Sequence, residues 1–229
     1  MRWAVAAALL ALAACRAETA PVKPELYVLT SLPLLFDEGF ALGPAKGEAA
    51  VFLREHYTLR PIDLPSQLPP GATLLAAQPR ALPAEELVAL DAWVRGGGRM
   101  LLLADPMLEW PSDRPFGDRL RPPLAYPDTG LLAHWGLRLD APDKRGLRYD
   151  PMNGAIAFIS PGTLVKVGGQ CAIEEGGWMA LCGLDKGRVD IIPDADFLNV
   201  EAVRKAGGFP SDNLRVIDRL IRPPAKSPK

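Results

Sequence analysis

The sequence predicts an α/β protein built on a mainly parallel sheet, and three stretches carry that prediction. "GATLLAAQP", "LPAEELVALDAWVRGGG" and "RMLLLADP" run strand, helix, strand from Gly71 to Pro106. Two near-continuous apolar strands joined by such a helix imply a parallel pair, buried on both faces, with a right-handed crossover. "LYVLT", Leu26–Thr30, is a second apolar strand, followed by Ala49, Phe52, Leu53 and His56 at helical spacing. "GRVDIIPDADFLN" followed by "SDNLRVIDRLI" repeats the strand-then-helix step near the end.

The elements follow in order. "TLRPIDL" is a weaker strand, and Pro61 in it predicts an edge or a strand end, since proline cannot donate to a ladder. The helix after Leu82 is well punctuated. Pro83 suits its first position, Glu85 and Glu86 lie in the first turn where the helix dipole favours anions, and Gly96 is expected to end it left-handed. Leu87, Leu90, Trp93 and Val94 form its apolar face. Residues 107–127 are proline-rich with little apolar periodicity, and a loop of that length in a compact domain tends to be functional or mobile. "TGLLAHWGLRLD" reads as a short helix and strand, residues 148–184 as a β-rich insertion, and Leu214, Ile217, Asp218 and Ile221 as a closing helix capped by Ser211 or Asp212. The organisation expected is a single domain over 26–222 with a disordered basic tail at 223–229.

The N-terminus, "MRWAVAAALLALAACRAE", has one positive charge, a short apolar run and small residues before Cys15, which is the pattern of a secretory signal. The run falls short of the roughly 18–20 apolar residues of a membrane span. "LAAC", Leu12–Cys15, resembles the bacterial lipobox. That resemblance implies cleavage of residues 1–14, acyl chains on Cys15, and a tether over 15–25 on the periplasmic side; an ordinary signal with a coincidental cysteine is the alternative. Arg16 stands where an inner-membrane retention signal usually has Asp, which favours the outer membrane. Two or more acyl chains hold a protein stably at a membrane, where one is marginal.

The chain carries 26 Lys and Arg against 27 Asp and Glu, a balance that leaves no electrostatic footprint for nucleic acid. Besides Cys15 there are two cysteines, Cys171 and Cys182, flanking "AIEEGGWMAL", which reads as two short strands about a Glu-Gly-Gly turn. In an oxidising compartment a disulfide across that hairpin is favoured. Two free buried thiols is the alternative, and a metal pair is disfavoured because neither histidine lies near in sequence.

"LPAEELVALDAWVRGGGRMLLLADP", "LLAHWGLRLD" and "GRVDIIPDADFLN" with "DNLRVIDRLI" resemble the periplasmic domain of the ABC-type uncharacterised transport-system family, which includes auxiliary proteins of gliding motility. The resemblance implies a three-layer sandwich of the class I glutamine amidotransferase-like or flavodoxin-like kind, and a role beside a transporter or envelope machine. Unlike the larger members, this sequence shows no C-terminal membrane helix.

Amidotransferase chemistry needs a thiolate on a strand-to-helix elbow and a histidine to activate it. Here the tip after "MLLLA" carries Asp105 and Pro106, the two histidines (His56 and His134) lie on predicted helices among apolar neighbours, and "TSLP" around Ser31 lacks the elbow glycines. No catalytic residue and no cofactor or metal is therefore assigned. Ligands of open α/β sheets bind outside the carboxyl ends of the strands. The rim expected there comprises Thr30, Ser31, Gln78, Asp105, Asp194 and Asp196. The carboxylates among them could bind a divalent cation or act as an acid/base pair, but aspartate before proline or near a turn more commonly caps a loop.

The leading expectation is a lipid-anchored periplasmic binding or scaffold protein without catalysis. It would contact the membrane through its lipid and hold a protein partner in the envelope with this rim and the loop bearing Trp110, Phe116 and Tyr126. The alternative is an envelope hydrolase using Asp105 and Asp194, whose carboxyl groups would have to flank an open cleft roughly 5–10 Å apart. A two-domain solute-binding protein is the weakest of the three, since closure on a ligand needs two lobes.

Overall fold

The computed structural model describes residues 22–38, 43–150, 156–208 and 210–222. The expected signal segment with Cys15, and residues 223–229, lie outside them.

In chain order the elements are β1 (Glu25–Thr30), α1 (Glu48–His56), β2 (Thr58–Pro61), β3 (Thr73–Ala77), α2 (Ala84–Arg95), β4 (Arg99–Leu103), α3 (Leu131–His134), β5 (Leu137–Asp140), β6 (Leu147–Tyr149), β7 (Ala157–Ile159), β8 (Thr163–Lys166), β9 (Ala172–Ile173), β10 (Ala180–Leu184), β11 (Gly187–Ile192), α4 (Val200–Lys205) and α5 (Pro210–Ile221). Seven strands form the main sheet in the order β2-β1-β3-β4-β11-β10-β9. The pairs from β2 through β11 are parallel, and β10 and β9 add antiparallel.

Alternation along the strands explains why both faces are covered. Leu75 and Ala77 of β3, with Leu101 and Leu103 of β4, pack beneath Ala49 and Leu53 of α1 and Val216, Ile217 and Ile221 of α5. Leu74, Ala76, Met100 and Leu102 point the other way, against Leu90 and Val94 of α2 and against Leu132 and Trp135. A period of two thus puts alternate residues of one apolar run into two different cores. Pro61 closes β2 at the sheet edge, where its missing N–H costs no ladder bond.

Several local expectations are corrected. Pro83 is the residue before the first turn of α2, with φ −65° and ψ 158°, and Ala84 opens the helix. Gly96 stays right-handed at φ −70°, and the positive φ of 116° falls on Gly97, because the helix continues one residue further before it turns into β4. Of the expected 15–25 tether only 22–25 lie within the described residues, and there Lys23 Nζ donates to Arg54 O at 2.7 Å and Thr58 N to Pro24 O at 2.9 Å, so Lys23 and Pro24 dock on the fold. The expected β-rich stretch 148–184 divides its strands between sheets. β9 and β10 extend the main sheet, while β6 and β8 pair with β7 and β5 in two small antiparallel ribbons. Cys171 and Cys182 form a disulfide, immediately beside the Leu181–Ala172 pair of the β9–β10 ladder.

Candidate functional site: the strand tips and the flanking cleft

The carboxyl ends of β1, β3, β4 and β11 bring all six rim residues to one end of the sheet. Thr30 Oγ1 donates to Ala77 O at 2.7 Å and accepts from Leu32 N at 2.9 Å. Ser31 Oγ donates to Gln78 O at 2.5 Å. Gln78, fully buried with φ 44°, turns its amide toward the next strand. Its Oε1 accepts from Asp105 N at 2.9 Å, and its Nε2 donates to Asp105 O and to Pro123 O, both at 3.0 Å. The crevice where these strands diverge is therefore filled by the rim's own side chains, with the 107–127 loop laid over it.

The three aspartates are fully buried. Asp105 Oδ1 accepts from Met107 N at 2.7 Å, and its Oδ2 from Ala195 N at 2.9 Å and Asp196 N at 3.4 Å. Asp194 Oδ1 accepts from Phe197 N at 2.9 Å and Oδ2 from Ile159 N at 2.7 Å. Asp196 Oδ2 accepts from Glu109 N at 2.6 Å, and its Oδ1 has no hydrogen-bond partner among the described residues. One oxygen from each of the three lies within 4.8 Å of the others.

Such crowding of like groups away from water raises their affinity for protons. Burial pushes Asp105 up to about 6 against the pull of hydrogen bonds from Met107, Ala195 and Asp196 and a side-chain bond with Asp194. Burial, with the charges of Asp105 and Asp196, holds Asp194 well above the carboxylate range. Burial and the Asp105 charge push Asp196 to about 8. Chemically, the cluster ties the tips of β4 and β11 to β7 and to the start of the loop. Asp105 and Asp194 do not flank an open cleft.

The open space lies beside them. A cleft of about 400 Å³ is bounded by the segment after β1 (Asp37, Glu38), the loop after β4 (Trp110, Asp113) and α4 (Glu201, Lys205). Glu38 braces it, accepting from Ser112 Oγ at 2.8 Å and Asp113 N at 3.1 Å. Of the loop aromatics, Trp110 is half-buried at this cleft, Phe116 is exposed under Arg121, and Tyr126 packs inward against the α2-side core, so it is not available to a partner. The histidines lie elsewhere. His56 stacks on Phe52 with ring centroids 4.2 Å apart, and His134, more than half exposed, lies 3.4 Å from Asp91.

The sequence reading passed over Glu109, Asn199 and Asn213. Glu109 Oε1 accepts from Ser160 Oγ at 2.5 Å. Asn213, buried on α5, accepts from Ala157 N and donates to Ala157 O and Phe197 O, locking the β11 tip to β7. Asn199 Oδ1 accepts from Ala202 N at 3.2 Å as the cap of α4, a signal available in "DFLN" before "VEAVRK".

This is a mixed α/β protein with a mainly parallel central sheet whose strand tips close on themselves. Residues 23–144 match the family described as ABC-type uncharacterized transport system, and the chain belongs to that family. The match takes in Thr30, Ser31, Gln78 and Asp105 and stops short of Asp194 and Asp196. No curated protein matches the chain. Among solved structures it is similar to the mmIFT52 N-terminal domain, at TM-score 0.56 and 13% identity over 87% of this chain and 98% of that one. It is also similar to the exo-β-1,4-mannosidase Op5Man5 from Opitutaceae bacterium strain TAV5, at TM-score 0.52 and 14% identity. There 88% of this chain is covered, but it spans only 37% of the mannosidase. At these identities the likeness is one of fold.

Proposed function

We propose that the protein is a lipid-anchored periplasmic binding or scaffold component, without catalysis of its own, that works beside an ABC-type transport system or a related envelope machine. Family membership supports the transport association. The lipobox-like "LAAC" supports the anchor at Cys15, and Arg16 favours the outer membrane. The observation that carries the non-catalytic reading is the commitment of the rim. Thr30, Ser31, Gln78, Asp105 and Asp194 all spend their polar atoms on backbone groups of the fold. A hydrolase with paired carboxylates needs the two groups facing substrate across a cleft, and both are buried. What remains accessible for a partner is the 107–127 loop and the cleft under Trp110. The cleft bears Asp37, Glu38, Asp113 and Glu201 against Lys205, which suits a partner segment carrying Lys or Arg.

The test is affinity capture from detergent-solubilised envelope with the full-length protein, comparing wild type with Trp110→Ala and with Cys15→Ala. A transport or envelope protein enriched by wild type and lost with Trp110→Ala supports the reading, as does metabolic acylation abolished by Cys15→Ala. Capture of no envelope protein by wild type would overturn it.

A further inference from the structure

We propose that Asp105, Asp194 and Asp196 form a binding site for one hard divalent cation, with Ca2+ the best fit. The three side chains come from two adjacent strand tips, β4 and β11, and one oxygen from each lies within 4.8 Å of the others. Carboxylate oxygens select Mg2+, Mn2+ or Ca2+ over softer metals.

A cluster of acids alone would say little, since buried carboxylates can share protons. The independent observation is Asp196 Oδ1. Among the described residues no donor meets hydrogen-bond geometry at this oxygen, although its residue is fully buried and the Asn199 side chain bears on the same carboxylate, while the other oxygen is held by Glu109 N. A buried acceptor left unpaired costs about 1–3 kcal/mol, more when charged, and native folds rarely leave one without a water or an ion. Among the described residues, no Lys, Arg or His forms an ion pair with Asp105, Asp194 or Asp196. A divalent ion would balance their charge and fill the open coordination of Asp196 Oδ1.

Spacing admits Ca2+ without adjustment of the cluster. Ca2+ binds oxygens at about 2.3–2.6 Å, so its ligands can stand up to roughly 5 Å apart, whereas Mg2+ at about 2.0–2.1 Å requires them within roughly 4.2 Å. The cluster at 4.8 Å or less accepts Ca2+ as it stands, and Mg2+ only if its widest pair lies within that smaller limit or draws in to it. The backbone donors around the cluster, Met107 N and Glu109 N, belong to the start of the loop that carries Trp110. Occupancy would therefore firm the loop that borders the cleft, which makes the ion a structural clamp and assigns it no chemical step. The inference does not depend on the partner proposed above.

The experiment is equilibrium dialysis and thermal melting of the full-length, chelator-treated protein with Ca2+, Mg2+ or Mn2+ at matched ionic strength. One Ca2+ per chain with sub-millimolar affinity, and a melting temperature raised by several degrees, is expected. Asp196→Asn keeps the shape and removes the charge, so it should bind at least tenfold more weakly, while Asp63→Asn, exposed before β3 and remote from the cluster, should bind as wild type does. If Asp196→Asn fails to fold, dialysis of wild type decides by itself. No divalent ion bound and no shift in melting would overturn the site, as would undiminished binding by Asp196→Asn.

Discussion

Gln78 grips the Asp105 peptide from both sides: its Oε1 accepts the Asp105 N–H at 2.9 Å and its Nε2 donates to the Asp105 carbonyl at 3.0 Å. The amide side chain imitates a strand. It continues the β3–β4 ladder by one more rung after Gln78 has turned away at φ 44°, and it reaches on to Pro123 O in the loop.

Gln78→Ala would take the side-chain acceptor from Asp105 N and the side-chain donor from Pro123 O, while Asp105 O keeps its bond from Tyr126 N. The expected cost is about 2–4 kcal/mol, given about 1–3 for each orphaned group and incomplete additivity. Urea unfolding reads it, and limited proteolysis should show the 107–127 loop cut faster in the variant. A variant within about 0.5 kcal/mol of wild type would mean that the clamp is dispensable.

The location of the rim was legible and its use was not. Each tip residue follows an apolar run in the sequence, so its place at the carboxyl edge follows from strand length alone. The bonds that decide its role are long-range: Asp105 pairs with Ala195, ninety positions away, and Asp196 with Glu109, eighty-seven away. No local pattern encodes them. The same limit explains β9 and β10, whose shortness and intervening turn announce a hairpin but not which sheet it joins. The α2 stop was misplaced by one residue because three successive glycines offer equal freedom, and only the approach to β4 selects Gly97.

Asp91 gives a pH dependence of definite sign. Its Oδ2 accepts from Arg95 Nε at 2.8 Å and its Oδ1 from Trp135 Nε1 at 2.9 Å. Burial pushes the carboxyl up, but the bonds from Arg95 and Trp135 prevail and hold it below the usual value. A depressed acid contributes stability above its unfolded pKa of about 3.9 and loses it as pH falls through the lower folded value. Asp91→Asn should thus be destabilised by about 1 kcal/mol at pH 7, a partly exposed pair being worth little more. The gap to wild type should narrow in melts as pH falls below the unfolded value of about 3.9 and through the lower folded one.

Reducing the Cys171–Cys182 disulfide frees a short loop, the two residues being 11 apart in sequence. Closing a loop of that order limits the unfolded chain by about 3 kcal/mol. Cys182→Ser, or thiol reductant in the melt, should lower stability by about 2–3 kcal/mol and loosen the β9 edge of the sheet first. Hydrogen exchange at Ala172 and Leu181 would report that edge. Unchanged exchange and melting on reduction would show that the β10 ladder holds without the bond.

Among the described glycines, Gly187, where β11 begins against the end of α2, leaves the least room for a side chain. A Cβ at Gly187 would stand 1.8 Å from Val94 O and 2.6 Å from Gly98 O, both backbone atoms. Lys186 N donates to Arg95 O at 3.2 Å and Arg188 N to Gly98 O at 3.1 Å, so the two segments are fixed on either side of that glycine. Gly187→Ala must push helix from strand, and since β11 carries Asp194 and Asp196 at its far end, the displacement would run along the strand that forms the cluster. A loss above about 4 kcal/mol is expected, the range reserved for core disruption. Gly183→Ala, in neighbouring β10 with nothing within 4 Å of its added methyl, should stay within about 0.5 kcal/mol of wild type or gain slightly. Chemical denaturation of the two variants side by side measures the difference, and equal stability would contradict the close packing of α2 on β11.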